Sequence, residues 1–132
     1  MSRSALNYSD VLLDDVAAGE INRMVNLSLP VMQTVNKRAA CLTQCQYIEE
    51  HRKLWATLLT GGAAATVKEE LLRISRELAA TTTQAPKNQL PRELNVILTV
   101  TAMIEVLSWW LRQDEPLPAA KVASYIHKII IA

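Results

Sequence analysis

A long apolar segment between residues 91 and 112 constrains this chain more than any other feature of its sequence. Pro91 stands in the first turn of the predicted helix, where proline is favoured, and the helix is about 33 Å long. Thr101, Glu105, Ser108 and Arg112 fall on one narrow stripe, and apolar residues cover well over half of the circumference. The segment is too polar for a bilayer span, which needs about 20 predominantly apolar residues. It therefore predicts a buried helix in a soluble protein, and one that needs more than one apolar partner.

The rest of the chain also repeats its apolar residues at helical spacing. Pro30 is predicted to end the first helix, because a proline disfavours helical geometry in the residue before it. The next segment, 31–60, is predicted as one helix or as two helices nearly in line, and Gly61 and Gly62 form its predicted stop. Thr66 with Glu69 has the form of a capping box. No strand-like alternation is visible, so the predicted fold class is all-α, a helical bundle of about five or six helices. One domain, 1–132, is predicted with helical segments at 9–27, 31–60, 64–80, 91–112 and 118–131 and a polar loop at 81–90.

Composition and charge exclude several classes of function. The 132 residues are half apolar and carry 14 basic against 13 acidic side chains, a net charge of +1. A chain of this length can form one core without disulfides or metal. Balanced charge leaves no basic face for nucleic acid, so we expect no DNA binding by this chain alone. The first residues lack the apolar run of a secretory signal, which predicts a cytoplasmic protein with no membrane partner.

Catalytic and metal chemistry have little support in the sequence. His51 and His127 lie far apart with no metal-ligand pattern around them, as is typical of surface or core histidines. Cys41 and Cys45 are one helical turn apart, which differs from the redox motif C-x-x-C, so free buried cysteines are the preferred interpretation. No nucleophile, base and orienting group are brought together. We expect no enzyme activity, no catalytic residue, no metal site and no cofactor.

Sulfur-containing and aromatic side chains on separate predicted helices suggest an internal cavity. Trp55 shares a helical face with Cys41, Cys45 and Leu59, and methionines occur at positions 24, 32 and 103. Flexible, polarizable side chains line ligand cavities, but they fill core gaps equally well. Two interpretations therefore stay open: a pocket for a small, largely apolar effector, or a filled core. The candidates for the one or two polar groups of such a pocket are Gln44, Tyr47 and Thr101.

The wide apolar arc on segment 91–112 predicts that a second copy of the chain is its other partner. Large exposed apolar surfaces are uncommon on soluble monomers, which favours a homodimer. In the last helix Ala119, Ala120 and Ala123 would let another helix approach closely, and its tip, residues 129–131, is entirely isoleucine. The alternative is a central helix buried in a compact monomer.

Several segments follow one another in an order that is itself informative. They are Tyr47-Ile48-Glu49-Glu50-His51-Arg52-Lys53-Leu54-Trp55 with Leu58-Leu59, then Pro91-Arg92-Glu93-Leu94, Trp109-Trp110-Leu111-Arg112, the turn Asp114-Glu115-Pro116, and a last helix opened by a proline. In this order and spacing they resemble the C-terminal half of the TetR/AcrR family of bacterial transcription regulators. The resemblance extends from about Ser9 to the C-terminus and rests on patterns of apolar residue types.

The resemblance implies an effector-binding and dimerisation domain. In that family the last two long helices pair with their copies in the partner as a four-helix bundle, and the preceding helices enclose a mostly apolar pocket. In this chain the dimer helices would be 91–112 and 118–131. The implied interface residues are Val100, Ile104, Leu107, Leu111, Val122, Ala123, Ile126 and Ile130. The implied pocket residues are Met24, Met32, Cys41, Cys45, Trp55, Leu59 and Met103.

The sequence also departs from the family pattern. Family members carry an N-terminal helix-turn-helix, of which only the helix that follows it, near residues 9–18, is matched here. Ala102 and Met103 replace a small glycine midway along the penultimate helix, and Leu117 stands where a capping Ser or Thr is common. The function expected is the effector-sensing and dimerisation domain of a TetR-like regulator that lacks its own DNA-binding part. The alternative is a small helical homodimeric interaction protein that binds no small molecule.

Overall fold

The computed structural model describes residues 2–81 and 89–131, with side chains described for 12–81 and 89–129, and α-helices are the only regular secondary structure in these residues. The predicted all-α bundle is therefore confirmed. Most of the predicted loop at 81–90 lies outside the described residues. The six helices are α1 (Ser2–Thr34), α2 (Lys37–Glu50), α3 (Arg52–Thr60), α4 (Ala64–Ala80), α5 (Arg92–Leu111) and α6 (Ala119–Ile131).

The second half of the chain matches the predicted boundaries closely. The helix α4 has the predicted bounds, and α5 and α6 agree with the prediction to within one residue at each end. The predicted glycine stop is also present, because α3 ends at Thr60. A Cβ atom on Gly61 would lie 2.7 Å from the carbonyl oxygen of Thr57, so the chain can leave α3 by this path only with a glycine there.

The predicted end of the first helix at Pro30 is wrong. The helix α1 continues through Pro30 and ends at Thr34. Asn36 caps α2, because its side-chain oxygen accepts a hydrogen bond from the N–H of Ala39 at 2.8 Å. The proline removes one intrahelical donor, and the Thr34 hydroxyl donates to the Pro30 carbonyl at 2.8 Å. Because α1 packs along α2 and α4, tertiary contacts offset the missing bond.

The segment 31–60, predicted as one helix or as two helices nearly in line, is divided among three helices. Its first residues belong to α1, and the remainder breaks between α2 and α3 at His51, whose Nδ1 lies 2.9 Å from the Tyr47 carbonyl oxygen. The capping box predicted at Thr66 is absent, because α4 begins two residues earlier, at Ala64. The Thr66 hydroxyl instead donates to the Asp14 carboxylate of α1 at 2.6 Å.

One hydrophobic core is shared by all six helices. The helix α2 lies between α1 and α6, and α5 packs against α3, α4 and α6. The largest fully buried side chains include Trp55 of α3 and Trp110 of α5. By length and composition α5 is the one described helix that could cross a membrane, and 33% of its most apolar window is buried inside the fold. Core helices of soluble proteins also reach this length and composition.

Candidate ligand cavity and dimerisation surface

A cavity of about 110 Å³ lies between α1, α2, α4 and α5. We call it the upper cavity. Its lining is apolar apart from Ser28 of α1, Gln44 of α2 and Ser75 of α4. The remaining lining residues are Met24, Val25, Leu29, Met32, Ala40, Leu71, Ile74, Leu78, Val100 and Met103.

A much smaller void of about 10 Å³ lies deeper in the core, beside Trp55. We call it the lower void. Met24, Gln44, Leu71 and Met103 line both spaces, so the two adjoin. Its other lining residues are Cys45, Ile48, Trp55, Leu59, Val67, Ile104, Leu107 and Ile126.

The residues proposed for a pocket are divided between these two spaces. Met24, Met32 and Met103 line the upper cavity. Cys45, Trp55 and Leu59 line only the lower void, where the side chains fill nearly all of the space. Cys41 lines neither, and its sulfur lies 3.8 Å from the carbonyl oxygen of Ala123, between α2 and α6.

Of the three predicted polar groups of the pocket, only Gln44 lines it. Its Nε2 donates to the hydroxyl of Ser28 at 3.2 Å. Tyr47 instead points its hydroxyl at Glu20, and Thr101 is half-buried on α5 outside the cavity lining. Ser28 and Ser75 were not predicted. Ser28 follows Met24 by one helical turn, so the shared face of α1 was a signal for it.

Trp55 carries the most unusual polar atom near the cavity. Its side chain is 0% exposed, and its indole Nε1 has no hydrogen-bond partner in the described part of the chain. A buried N–H group without an acceptor is costly and therefore uncommon. Trp55 is one of the residues that line the lower void.

The two cysteines are free and behave differently. A hydrogen bond from Cys45 lowers the pKa of the Cys41 thiol, whereas that same bond, followed by burial, raises the pKa of Cys45. Among the described side chains, no cluster of three or more His, Cys, Asp or Glu residues has a metal-binding arrangement.

The residues proposed for the dimer interface point inward. Val100, Leu107, Leu111, Val122, Ala123 and Ile126 are buried in the core of the protomer itself. Ile104 is half-buried and packs against that core, and the side chain of Ile130 lies outside the described residues. Apolar residues cover more of the circumference of α5 than one contact surface needs. The sequence alone did not indicate which of them are buried inside the protomer.

The outward face of α5 is formed by Leu94, Leu98, Thr101, Glu105 and Trp109. Leu98 is 48% exposed and Trp109 is 41% exposed. Thr101 is half-buried and Glu105 is exposed. Successive members are three or four residues apart, so they form one continuous stripe along the helix. This outer face remains available for a partner.

The turn between α5 and α6 is held by side chains from the junction of α2 and α3. Arg52 donates to the carbonyl oxygens of Trp110 and Gln113 at 2.9 and 3.2 Å, at the C-terminal end of α5. The carboxylate of Glu49 accepts from the N–H of Ala119 at 2.9 Å, at the N-terminal end of α6. The Trp110 indole donates to the Leu117 carbonyl at 2.8 Å. The segment from Glu49 to Arg52 thus supplies hydrogen-bond partners for the C-terminal end of α5 and for the N-terminal end of α6.

The described residues form an all-α bundle with an uncharged cavity that is partly open to solvent and an exposed apolar face on α5. Comparisons with protein-family models, with curated proteins and with solved structures find no match to this chain.

Proposed function

We propose that this chain is the effector-sensing and dimerisation domain of a TetR-like transcriptional regulator, and that the DNA-binding part lies outside these residues. The observation that carries the proposal is the upper cavity. It is apolar, it lies among four helices, and three polar side chains reach it. Small-molecule sites have this composition.

The cavity favours a sensor over the alternative of an interaction protein that binds no small molecule, because such a protein needs no internal space. Its volume of about 110 Å³ is close to the volume of about 150 Å³ in which an apolar cavity of another protein binds benzene. The effector that fits this conformation is therefore about as large as a single small ring.

The outer face of α5 supports the dimerisation part of the proposal. Two large apolar side chains, Leu98 and Trp109, are nearly half exposed on it. Pairing of this face with the same face of a second copy would remove them from water, which is favourable at about 25 cal/mol per Å² of apolar area. Thr101 at the middle of the stripe and Ala102 beside it are small and would let the two helices approach closely.

The same helix connects the cavity to the outer face. Val100 and Met103 of α5 line the upper cavity, while Leu98 and Thr101 lie on the outer face of the same helix. A ligand that displaces Met103 would therefore shift or rotate α5, and with it the surface that pairs two protomers. In a full-length regulator this coupling would change the spacing of the two DNA-binding parts.

The oligomeric state tests the dimerisation part. Sedimentation equilibrium of the chain at micromolar concentration should give twice the 14.7 kDa of one protomer. Leu98→Glu should shift the population toward monomer, because it places a carboxylate in the apolar contact. Leu27→Glu is the matched control, since Leu27 is a 53% exposed leucine on α1, and it should leave the mass unchanged. A wild-type chain that sediments only at 14.7 kDa contradicts the proposal.

A further inference from the structure

We infer that the ligand of the upper cavity is uncharged where it enters the cavity and carries one hydrogen-bond donor, a hydroxyl or an N–H group, which it gives to the side-chain oxygen of Gln44. The inference rests on the proposed function, since it specifies the ligand of the cavity described there. The charge of the lining, the place of the Gln44 amide at the cavity wall and the orientation of that amide carry it.

The charge of the ligand follows from the lining. None of the described residues that line the upper cavity is Asp, Glu, Lys, Arg or His. An ion in this space would lose part of its hydration and meet no opposite charge, which is unfavourable. The part of the ligand that lies inside the cavity is therefore neutral.

The amide of Gln44 lies at the wall of the upper cavity. The side chain of Gln44 extends from α2 and lines both the upper cavity and the lower void. Its Nε2 is 3.2 Å from the hydroxyl oxygen of Ser28, and Ser28 lines the upper cavity alone. The end of the side chain that carries the amide is therefore on the side of the upper cavity.

The hydrogen bonds of Ser28 fix the orientation of this amide. The Ser28 hydroxyl donates its one proton to the carbonyl oxygen of Val25 at 3.4 Å, so it acts as the acceptor toward Gln44 and receives an N–H from Nε2. Because the nitrogen faces Ser28, the oxygen of the same amide points elsewhere. This Oε1 has no hydrogen-bond partner among the described residues, and protein atoms do not cover it completely. It is thus an acceptor that a ligand can reach.

An acceptor of this kind discriminates between ligands. A hydroxyl or N–H group that donates to Oε1 replaces the bond to water that Oε1 loses when the cavity is filled, whereas a purely apolar ligand leaves the oxygen unpaired. Ser75, the other polar side chain of the lining, is both a donor and an acceptor and can rotate its proton, so it does not distinguish the two kinds of ligand. Gln44 therefore determines which polar group the ligand carries.

Phenol and toluene test the donor, because they have nearly the same shape and differ by a hydroxyl against a methyl group. Isothermal titration calorimetry with the full chain measures the dissociation constant of each probe. Gln44→Met keeps the length of the side chain and removes the acceptor. It should weaken the binding of phenol about tenfold, the effect of one hydrogen bond, and leave the binding of toluene unchanged. Comparing each probe between the two proteins cancels the different hydration of phenol and toluene.

Gln46→Met is the matched control, because Gln46 is exposed on the same helix and lines neither space. This variant should bind both probes as the wild type does. A second measurement uses the wild type alone, so the test does not depend on the folding of Gln44→Met. With the chain labelled with ¹³C, phenol should move the side-chain carbonyl resonance of Gln44 to higher frequency, the direction expected when the oxygen accepts a hydrogen bond, and toluene should not.

A second pair of probes of equal shape tests the charge. Benzyl alcohol is a neutral donor, and benzylammonium is a donor that carries a positive charge. Benzyl alcohol should bind to the wild type, and benzylammonium should not. Binding of the cation as tight as that of the alcohol would overturn the assignment of a neutral ligand.

The outcomes separate the inference from the proposed function. Equal loss or no loss of phenol and toluene binding in Gln44→Met, with the Gln44 carbonyl resonance of the wild type unmoved by phenol, overturns the assigned donor and leaves the cavity as a ligand site. Binding of none of the neutral probes to the wild type overturns both the inference and the effector-sensing part of the proposed function. The sedimentation result reports on dimerisation independently of either outcome.

Discussion

At the residue scale the most constrained polar group is the buried carboxylate of Glu20, whose side chain is 3% exposed. Its Oε2 accepts from Arg23 at 2.7 Å and from the Tyr47 hydroxyl at 2.9 Å, while its Oε1 has no partner among the described residues. Tyr47 also stacks on His51, with ring centroids 4.4 Å apart. A buried charge with so few partners makes each remaining bond important.

Tyr47→Phe should lower the free energy of unfolding by about 1–3 kcal/mol at neutral pH, because Glu20 loses one of its two donors. Urea denaturation followed by circular dichroism measures the change. Tyr125→Phe, at a half-buried tyrosine on α6, is the matched control and should stay within about 0.5 kcal/mol of wild type. Equal effects of the two substitutions would contradict the role given to the bond between Tyr47 and Glu20.

The surroundings of Tyr47 also predict that the protein loses stability at alkaline pH. Burial, and then the neighbouring Glu20, raises the pKa of its phenol above the ordinary value. Since the folded state binds this proton more tightly than the unfolded chain, the contribution to stability is complete below about pH 10 and is lost as the pH rises through the folded-state pKa. The free energy of unfolding of wild type should therefore fall more steeply above pH 10 than that of Tyr47→Phe. Parallel pH profiles would refute this.

At the element scale, hydrogen bonds from side chains to the helix ends determine how the helices join. The ends of α5 and α6 are satisfied by Arg52 and Glu49, which flank the break between α2 and α3. The break at His51 therefore has a structural consequence, because it brings both side chains to the same turn. At the N-terminal end of α2, the side-chain oxygen of Asn36 likewise accepts a backbone hydrogen bond.

Glu49→Ala should cost about 0.5–2 kcal/mol, the usual cost of removing an N-cap acceptor, because the N–H of Ala119 loses its partner. Glu49→Gln keeps a side-chain oxygen and should recover much of the loss. Glu50→Ala, at the exposed neighbouring position, serves as control with an expected change near zero. Thermal unfolding of the three variants gives the comparison, and an equal loss for Glu50→Ala would show that the cap is unimportant.

Pro30→Ala should stabilise the protein, since Pro30 lies inside α1 and lacks the donor for one helical bond. Alanine is favoured over proline in a helix interior by about 3 kcal/mol, and the greater freedom of the unfolded variant offsets part of this. The melting temperature should rise. Pro116→Ala, in the turn between α5 and α6, should give no such rise. A lower melting temperature for Pro30→Ala would mean that the proline ring itself makes a stabilising contact.

At the scale of the whole molecule, the buried core and the outer face of α5 are formed by different residues. Ile126 is 2% exposed inside the protomer, whereas Leu98 lies on the outer face of α5. The two positions should therefore respond differently to the same charge.

Ile126→Glu should unfold the protomer, because it buries an unpaired carboxylate in the core. Its far-ultraviolet circular dichroism should lose the helical signal or show a much lower melting temperature. Leu98→Glu should keep the helical signal and change only the sedimenting mass. Loss of helix in both variants, or in neither, would contradict this separation.

Without a further DNA-binding part, the chain should not recognise duplex DNA. Its net charge is +1, which leaves little phosphate neutralisation to support binding. A gel-shift assay at physiological salt should detect no sequence-selective complex. Selective binding at nanomolar concentration would contradict the proposed division of labour between this domain and its DNA-binding part.

The cavity was only partly predictable. Met24, Met32 and Met103 line one cavity, because they are spaced along helices whose apolar faces turn toward the core. Cys41 does not line it and lies at the contact with Ala123 instead. Cys41 and Cys45 lie on the same face of α2, one turn apart, and the sequence does not indicate which neighbouring helix each of them contacts.

Local patterns along the sequence determined the helical class, the glycine stop at Gly61 and the bounds of α4, α5 and α6, because periodicity and chain-breaking residues act over a few neighbours. Only the tertiary structure decided that α1 continues through Pro30, since packing on α2 and α4 offsets a missing bond. It also decided which part of the apolar arc of α5 is buried. A helix with apolar residues on most sides has no local signal for its preferred face, and the contacts with α3, α4 and α6 supply it.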